Sequence, residues 1–521
     1  MLSSRNRLLR VGYRTFGRTS LNYGMHLCME RAKRLHDIEW VSVSKYNAKT
    51  CDVILISFFW WAHFYDWAKF IVDANIDPRH ARKPLIIIGG FQAYNFISLG
   101  SLFHWACIGD GEWFMSDALA LVRNDRENEI ERLDGAYWPG KETSTLWRSD
   151  PFSATAMQEP GQHITRIEIA RGCKYKCAFC ALTYLKPYRE SSIEDTKALI
   201  AAAETKRVAL FAPERLAHSG YDDIDCYVND LGKKNAASDL RWDNLQGKAG
   251  YKGTILFGLE GMSERLRFGI GKHITDDDLV EGYQKLVQES EHGKRGIRFY
   301  IIVGLPGETA EDYEAWTSVL ARLNETPEAK GMTLTPFVNT FMTQPHSPLQ
   351  WAAAADIWTN YGKKFAKALW PHGHDDAKRW RMTIAFTPRI WGGTSRLKAQ
   401  LAIRGDERVA DVLLELATNP LLKAQVARPG MAGTTNFLRF LERHVGYNED
   451  YLCGHLNPDD DYPWQKIRTY VPTETLKRRW FAYQRRVGMI GHDEYLRIKA
   501  ARRFDDDKSE VGAPLFAEVA S

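Results

Sequence analysis

Three of the eight cysteines fall in one short stretch, Arg171-Gly-Cys-Lys-Tyr-Lys-Cys-Ala-Phe-Cys180, with Cys173, Cys177 and Cys180 spaced C-x3-C-x2-C. A loop of that spacing can wrap three thiolates around a single 4Fe-4S cluster and leave the fourth iron without a protein ligand. An iron left open in this way is a place for chemistry. The competing use is structural zinc, but zinc closed by four ligands draws on two C-x-x-C pairs or a Cys/His set, and no such partner pair lies nearby. The other five cysteines, Cys28, Cys51, Cys107, Cys226 and Cys453, are scattered without pairing spacings. They suit a reducing compartment and supply neither a disulfide framework nor a second cluster.

The elements around the loop set its position. Ile164 to Ala170 alternates as a strand, so the cysteines follow a strand's carboxyl end, the active edge of a parallel barrel. Further strand candidates are 207–212, 240–243, 254–259, 297–303 and 332–337, most of them separated by amphipathic helix patterns. That order predicts a partial (β/α)6 barrel. Upstream, Leu8 to Tyr13, Asp52 to Ser57 and Pro84 to Gly90 read as buried strands of a doubly wound sheet, with a helix over 21–35. Ligands of such sheets lie beyond the carboxyl ends of the strands, where Gly89 and Gly90 allow the backbone to come close. The α/β chain therefore divides into a Rossmann-like region over 1–123, a linker over 124–162, the barrel core over 163–345, and a mainly helical, basic and aromatic-rich region over 346–521. No apolar run is long enough to span a bilayer and no secretory signal is evident, so a cytoplasmic enzyme without membrane contact is expected.

On these features the chain resembles the radical SAM superfamily over most of residues 1–350. The resemblance implies that S-adenosylmethionine chelates the open iron and is cleaved by one electron to a 5'-deoxyadenosyl radical. A flavodoxin or ferredoxin would be the electron donor. Phe179, just before the third cysteine, occupies the position that packs on the adenine in that family. Gly304-Leu-Pro-Gly-Glu-Thr309 is similar to the fifth-strand segment of the methylthiotransferase and elongator-like branch, which places Gly304 and Pro306 at the adenine pocket. Glu214 stands where a Gly-Gly-Glu that binds the methionine amine is often found, although only the glutamate is present. In Gly258-Leu-Glu-Gly-Met-Ser263, Glu260 and Ser263 are candidates to bond ribose hydroxyls or the methionine amine, and Lys272 to meet a carboxylate. A solvated loop is the alternative for all three.

The N-terminal region resembles the cobalamin-binding-type domain that precedes many radical SAM cores. The family's Asp-x-His-x-x-Gly motif, source of the cobalt ligand, is missing: Gly12 to Ser20 holds no histidine, and His26 has Gly24 where the aspartate should be. Cobalamin is therefore permitted but not favoured. A methylthiotransferase would need three more grouped cysteines. These subtractions favour hydrogen abstraction followed by rearrangement, of isomerase or aminomutase type. The stretch Lys477-Arg-Arg-Trp-Phe-Ala-Tyr-Gln-Arg-Arg486, with Arg497, Lys499, Arg502 and Arg503, makes DNA or another nucleic acid a candidate partner, the alternative being a solvated helix face whose aromatics pack inward. Radical SAM isomerases that hypermodify thymidine in phage DNA are the analogy. A cobalamin-type methyltransferase acting on a small molecule and a non-catalytic iron-sulfur binding protein are the alternatives.

Overall fold

The computed structural model describes residues 8–16, 22–35, 37–144, 152–158, 163–236, 239–242, 255–288, 296–326, 332–369, 383–384, 387–389, 392–502 and 504. Arg503 lies outside them.

The first sheet has six strands, β1 (Leu9–Thr15), β2 (Ile38–Ser42), β3 (Val53–Ser57), β4 (Leu85–Gly89), β5 (Trp105–Cys107) and β6 (Ala136–Tyr137), in the order 2-1-3-4-5-6. All pairs are parallel except β5 with β6. The Val-Ile-Leu-Ile and Leu-Ile-Ile-Ile runs of β3 and β4 are buried on both faces, as helices covering both sides of a parallel sheet require. Helices α1 (Tyr23–Ala32) and α3 (Gly111–Arg123) cover one face, and α2 (Ala62–Ala74) the other. In α2, Phe64, Trp67, Ala68 and Ile71 recur at helical spacing and are buried, so one stripe of the helix docks on the sheet. Because strand order reverses between β1 and β3, a crevice opens at their carboxyl ends.

The barrel follows in two parallel segments. In one, β8 (Ile164–Glu168) pairs with β9 (Arg207–Phe211), which pairs with β10 (Lys234–Asn235), and β7 (Thr155–Gln158) adds an antiparallel edge to β8. In the other, β11 (Asp239–Leu240), β12 (Ile255–Glu260), β13 (Gly296–Val303) and β14 (Thr333–Thr340) pair in sequence order, and β15 (Thr387–Arg389) extends β14. Five of the six strands expected from the sequence are present near their expected bounds, while the one expected over 240–243 is the short Asp239–Leu240 strand, with Arg241 and Trp242 beyond its end. The region boundaries differ, because β6 carries the first sheet beyond residue 123 and β7 brings part of the expected linker into the barrel sheet.

The C-terminal region straps the two together. Helices α6 (Gly393–Arg404) and α7 (Val409–Thr418) share the core of the first sheet with α2, and the Tyr65 hydroxyl donates to the Lys398 carbonyl at 2.9 Å. Helix α8 (Thr473–Arg486) instead buries Leu476, Trp480 and Tyr483 against the barrel. Full burial of each such side chain is worth about 2–3 kcal/mol, which explains why a strongly basic helix stays docked. Several of its cations have acidic or aromatic partners in the chain: Lys477 pairs with Glu474 (2.8 Å) and Asp459 (3.2 Å), and Arg485 lies over the Tyr495 ring. The aromatics expected to stack on bases are thus largely core residues, because their spacing along α8 matches the groove they fill. Among the described residues no helix is long and apolar enough to cross a membrane.

Candidate active site

The cysteine loop leaves β8 through Ala170–Arg171, which pairs antiparallel with Arg189–Glu190, so the loop is closed at its base like a hairpin. Gly172 has φ +75°, and a Cβ there would lie 2.5 Å from the Pro187 carbonyl oxygen, so the turn needs glycine. Side chains then fix the loop's carbonyls. The Thr183 hydroxyl donates to Cys173 O at 2.6 Å and also to Tyr175 O, and the Tyr184 hydroxyl donates to Lys176 O at 3.0 Å. The Ala178 amide donates to Ile270 O at 2.9 Å, and the Ala181 amide to Gln344 Oε1 at 3.1 Å.

The three thiols are near enough to feel one another. Burial, reinforced by the neighbouring Cys177, pushes Cys173 up to about 11 and Cys180 up to about 12. Cys173 and Cys180 are thus costly to ionise alone and suit a cationic group that deprotonates thiols on binding. Among the described residues no group of three or more His, Cys, Asp or Glu side chains is arranged to hold a single metal ion. The donor set of three soft sulfurs on one loop fits a 4Fe-4S cluster, whose cage is far wider than one ion.

The other expected site residues divide. Lys272 is buried, and its Nζ donates to Glu260 Oε2 at 2.8 Å and to Gly258 O, so the carboxylate it meets is Glu260. The pair stands beside the cysteine loop, where the Lys272 charge opposes the effect of burial on Cys180. Phe179 packs against the barrel core. Glu214 is buried and accepts from the Leu216 amide at 3.2 Å. Ser263 departs from expectation: its hydroxyl caps α4 (Glu264–Gly269) through the Leu266 amide and donates to Asp312 at 2.5 Å, because a helix start there needs a partner for its free amides. Gly304 and Pro306 are covered by protein. A Cβ on Gly304 (φ +75°) would meet the Ala355 Cβ at 2.7 Å and the Tyr361 hydroxyl at 2.8 Å, and the Pro306 carbonyl accepts from the Tyr483 hydroxyl at 2.7 Å.

Sequence reasoning missed the seam between the two domains. A cavity of about 320 Å³ is lined by Ser57, Gly89, Gly90, Gly109 and Gly111 from the first sheet's carboxyl edge and by Ala170, Arg171, Gly172 and Leu182 from the approaches to the cysteine loop. It shares Leu27, Asp110, Glu112 and Arg171 with a wider cleft of about 800 Å³. Gly90 has φ +101° and a Cβ on it would sit 2.4 Å from Phe58 O, so the cradle can be built only from glycine there. Charged side chains clamp the same seam. Asp110, at the start of α3, accepts from Lys186 (3.0 Å) and Arg189 (2.7 Å) and lies 3.1 Å from Arg171; Arg171 also bonds Glu112 (2.5 Å) and Glu168 (2.9 Å). Burial pushes the Asp110 carboxyl up, but Lys186, Arg171 and Arg189 together outweigh it and hold the group far below the ordinary range. Among the described residues no histidine lines the cavity, and Tyr23, Gly24 and Met25 line it from the start of α1. The available signal was Gly109-Asp-Gly-Glu112, charged residues set among glycines at a strand end.

An iron-sulfur loop at the mouth of a partial parallel barrel, joined to a doubly wound sheet, defines the class. Residues 167–318 match the Radical SAM superfamily, so this part of the chain is a radical SAM domain, a family whose cofactors are a 4Fe-4S cluster and S-adenosylmethionine. Among curated proteins it is 25% identical over 321 residues to an uncharacterised protein of Methanocaldococcus jannaschii, covering 58% of this chain and 69% of the relative. It is 24% identical over 220 residues to the ribosomal protein uS12 methylthiotransferase RimO of Prosthecochloris aestuarii, covering 38% of this chain. The chain spans about half the length of that methylthiotransferase (48%). Among solved structures, the cobalamin-dependent S-adenosylmethionine radical enzyme OxsB aligns with 96% of this chain and 82% of its own at 11% identity and TM-score 0.47. The radical S-adenosylmethionine methyltransferase TsrM of Kitasatospora setae aligns with 66% of this chain and 75% of its own at 13% identity and TM-score 0.42.

Proposed function

We propose that this enzyme joins the cysteine loop and the seam cavity into one active site, in which a cobalamin held by the N-terminal domain without a protein ligand to cobalt serves methyl transfer to a substrate. The observation that carries this reading is the shared lining: Gly89, Gly90, Gly109 and Gly111 face the same space as the residues leading into Cys173. That space opens toward the adjoining cleft of about 800 Å³, with which it shares Asp110, Glu112 and Arg171. The missing histidine weighed against cobalamin in the sequence; the glycine cradle offers a site that does not depend on it.

The cluster, when bound, supplies the electron that cleaves S-adenosylmethionine. The chain's own residues hold Cys173, Cys177 and Cys180 in register through Thr183, Tyr184 and Gln344, keep Lys272 and Glu260 beside them, and lock the domains across Asp110 and Arg171. None of this requires a second cluster, which separates the reading from methylthiolation. Rearrangement of a substrate in the seam, including a nucleic-acid base, is the second reading, favoured by the absence of a histidine among the cavity's lining residues.

The test is anaerobic reconstitution with cobalamin, reductant, S-adenosylmethionine carrying a deuterated methyl group, and a panel of candidate substrates. Methyl transfer predicts bound cobalamin and a product heavier by the labelled methyl. A product of unchanged mass with 5'-deoxyadenosine formed supports rearrangement, and an intact cluster that yields no 5'-deoxyadenosine removes both.

A further inference from the structure

Strand β11 ends directly before Arg241, whose side chain turns into the protein toward the cysteine loop. The residue is 8% exposed, and its Nη1 lies 3.3 Å from Cys177 Sγ in donor geometry. Its guanidinium carbon stands 3.7 Å over the centroid of the Tyr175 ring, the residue midway between the first two cysteines. Stacking and hydrogen bonding thus fix one planar cation against one cluster ligand. Its charge is also felt at Cys173. Another cation beside the loop, Lys272, is paired with Glu260 at 2.8 Å. Of the two, Arg241 is the one with a hydrogen bond to a ligand sulfur.

A donor to a thiolate sulfur matters because adding an electron to an iron-sulfur cluster increases the negative charge on its sulfurs. An N–H aimed at such a sulfur therefore stabilises the reduced state more than the oxidised one, and hydrogen bonds of this kind are a main lever on cluster potential. We propose that Arg241 is a positioning residue that raises the reduction potential of the cluster through Cys177 and so eases the electron uptake that starts the reaction. The electron comes from an external one-electron donor protein of flavodoxin or ferredoxin type; Arg241 keeps its proton throughout, and no covalent bond of the protein forms or breaks. The inference rests on reading Cys173, Cys177 and Cys180 as cluster ligands.

The test is a redox titration of the anaerobically reconstituted full chain, followed by electron paramagnetic resonance of the reduced cluster, on wild type, Arg241→Gln, Arg241→Lys and Tyr175→Leu. With full iron content, Arg241→Gln is expected to lower the reduction equilibrium about tenfold, which is about 59 mV for a one-electron couple. Arg241→Lys, which keeps a cation without the planar fork, should recover part of the loss. Tyr175→Leu, which loosens the guanidinium while leaving its charge, should shift the potential the same way by less, and it carries the test if Arg241→Gln loads no iron. An unchanged potential in Arg241→Gln or, in its place, in Tyr175→Leu overturns the proposal. A wild-type chain that binds no iron overturns the cluster reading itself, a distinct result.

Discussion

Two glycine-rich edges of this molecule are built from similar sequence and do opposite things. At the seam, Gly89 and Gly90 end β4 and face a cavity shared with the approaches to the cysteine loop. At the end of β13, Gly304 and Gly307 look equally suited to a ligand, yet they are covered by Ala355 and Tyr361 in one case and Val487 and Met489 in the other. Glycine permits close approach but does not choose what approaches. At the seam the neighbouring elements stand apart and are held there by charge; at β13 the C-terminal region has closed over the turn. The first edge lines an open cavity, which the proposed function fills with a ligand, and the second is packed under the chain's own C-terminal region.

The largest effect expected is at the cysteine loop, which the first edge adjoins. Cys177→Ala should abolish cluster iron and 5'-deoxyadenosine formation while leaving the far-ultraviolet circular dichroism unchanged; retained iron at full stoichiometry would remove Cys177 from the ligand set.

Next comes the clamp. Asp110→Asn removes the carboxylate that faces Lys186, Arg189 and Arg171, while Arg171 keeps Glu112 and Glu168, and losing these charge-assisted hydrogen bonds should cost about 2 kcal/mol in denaturant unfolding. The pH dependence follows from the same group. Its carboxyl is depressed in the folded protein, so its stabilisation is complete above the ordinary value of 3.8 and is lost as pH falls below it toward the folded value. Wild type should therefore shed stability between about pH 4 and lower pH, and Asp110→Asn should lack that acid-linked contribution. Identical acid profiles would show that the clamp carries no load.

A paired substitution sharpens the comparison directly. Gly304→Ala places a Cβ 2.7 Å from Ala355 at φ +75° and should destabilise the fold by about 2 kcal/mol. A Cβ on Gly89 meets the Met115 Cε at 3.5 Å and the Cys107 Cβ at 3.9 Å, both ordinary contacts, so Gly89→Val should cost the fold less than Gly304→Ala, about 1 kcal/mol, while cobalamin binding weakens about tenfold. Thermal unfolding and a cobalamin titration read the two effects. A reversal, with Gly304→Ala stable and Gly89→Val unfolded, would collapse the distinction. The smallest effect is Tyr483→Phe, which deletes one hydrogen bond to Pro306 and should cost about 1 kcal/mol with cobalamin affinity unchanged; loss of affinity there would tie the covered edge to the seam.

Local features were legible in the sequence and distant pairings were not. The cysteine spacing, the strand before it and the apolar runs of β3 and β4 are readable because each is decided within a few residues. The Asp110 clamp joins residues 76 and 79 positions away, and the Tyr483 cover over Pro306 reaches across 177; such contacts leave no periodic trace. Ser263 shows the same limit at shorter range, since a serine before a helix reads equally well as a cap or as a ligand contact until Asp312 is seen beside it. Arg241 carried no motif, and only the fold brings it to Cys177. The aromatic residues of α8 could be read either way, because a stripe that fills a groove has the same spacing as one that meets a nucleic acid.

The central claim is that the cysteine loop and the seam cavity form one site, and the most direct measurement is electron paramagnetic resonance of the reconstituted enzyme with a reduced cluster and cob(II)alamin bound. A single site predicts mutual broadening or splitting of the two signals, diminished in Gly89→Val as cobalamin leaves. Full cluster signal with no cobalamin bound, or two signals that simply superimpose, would contradict it.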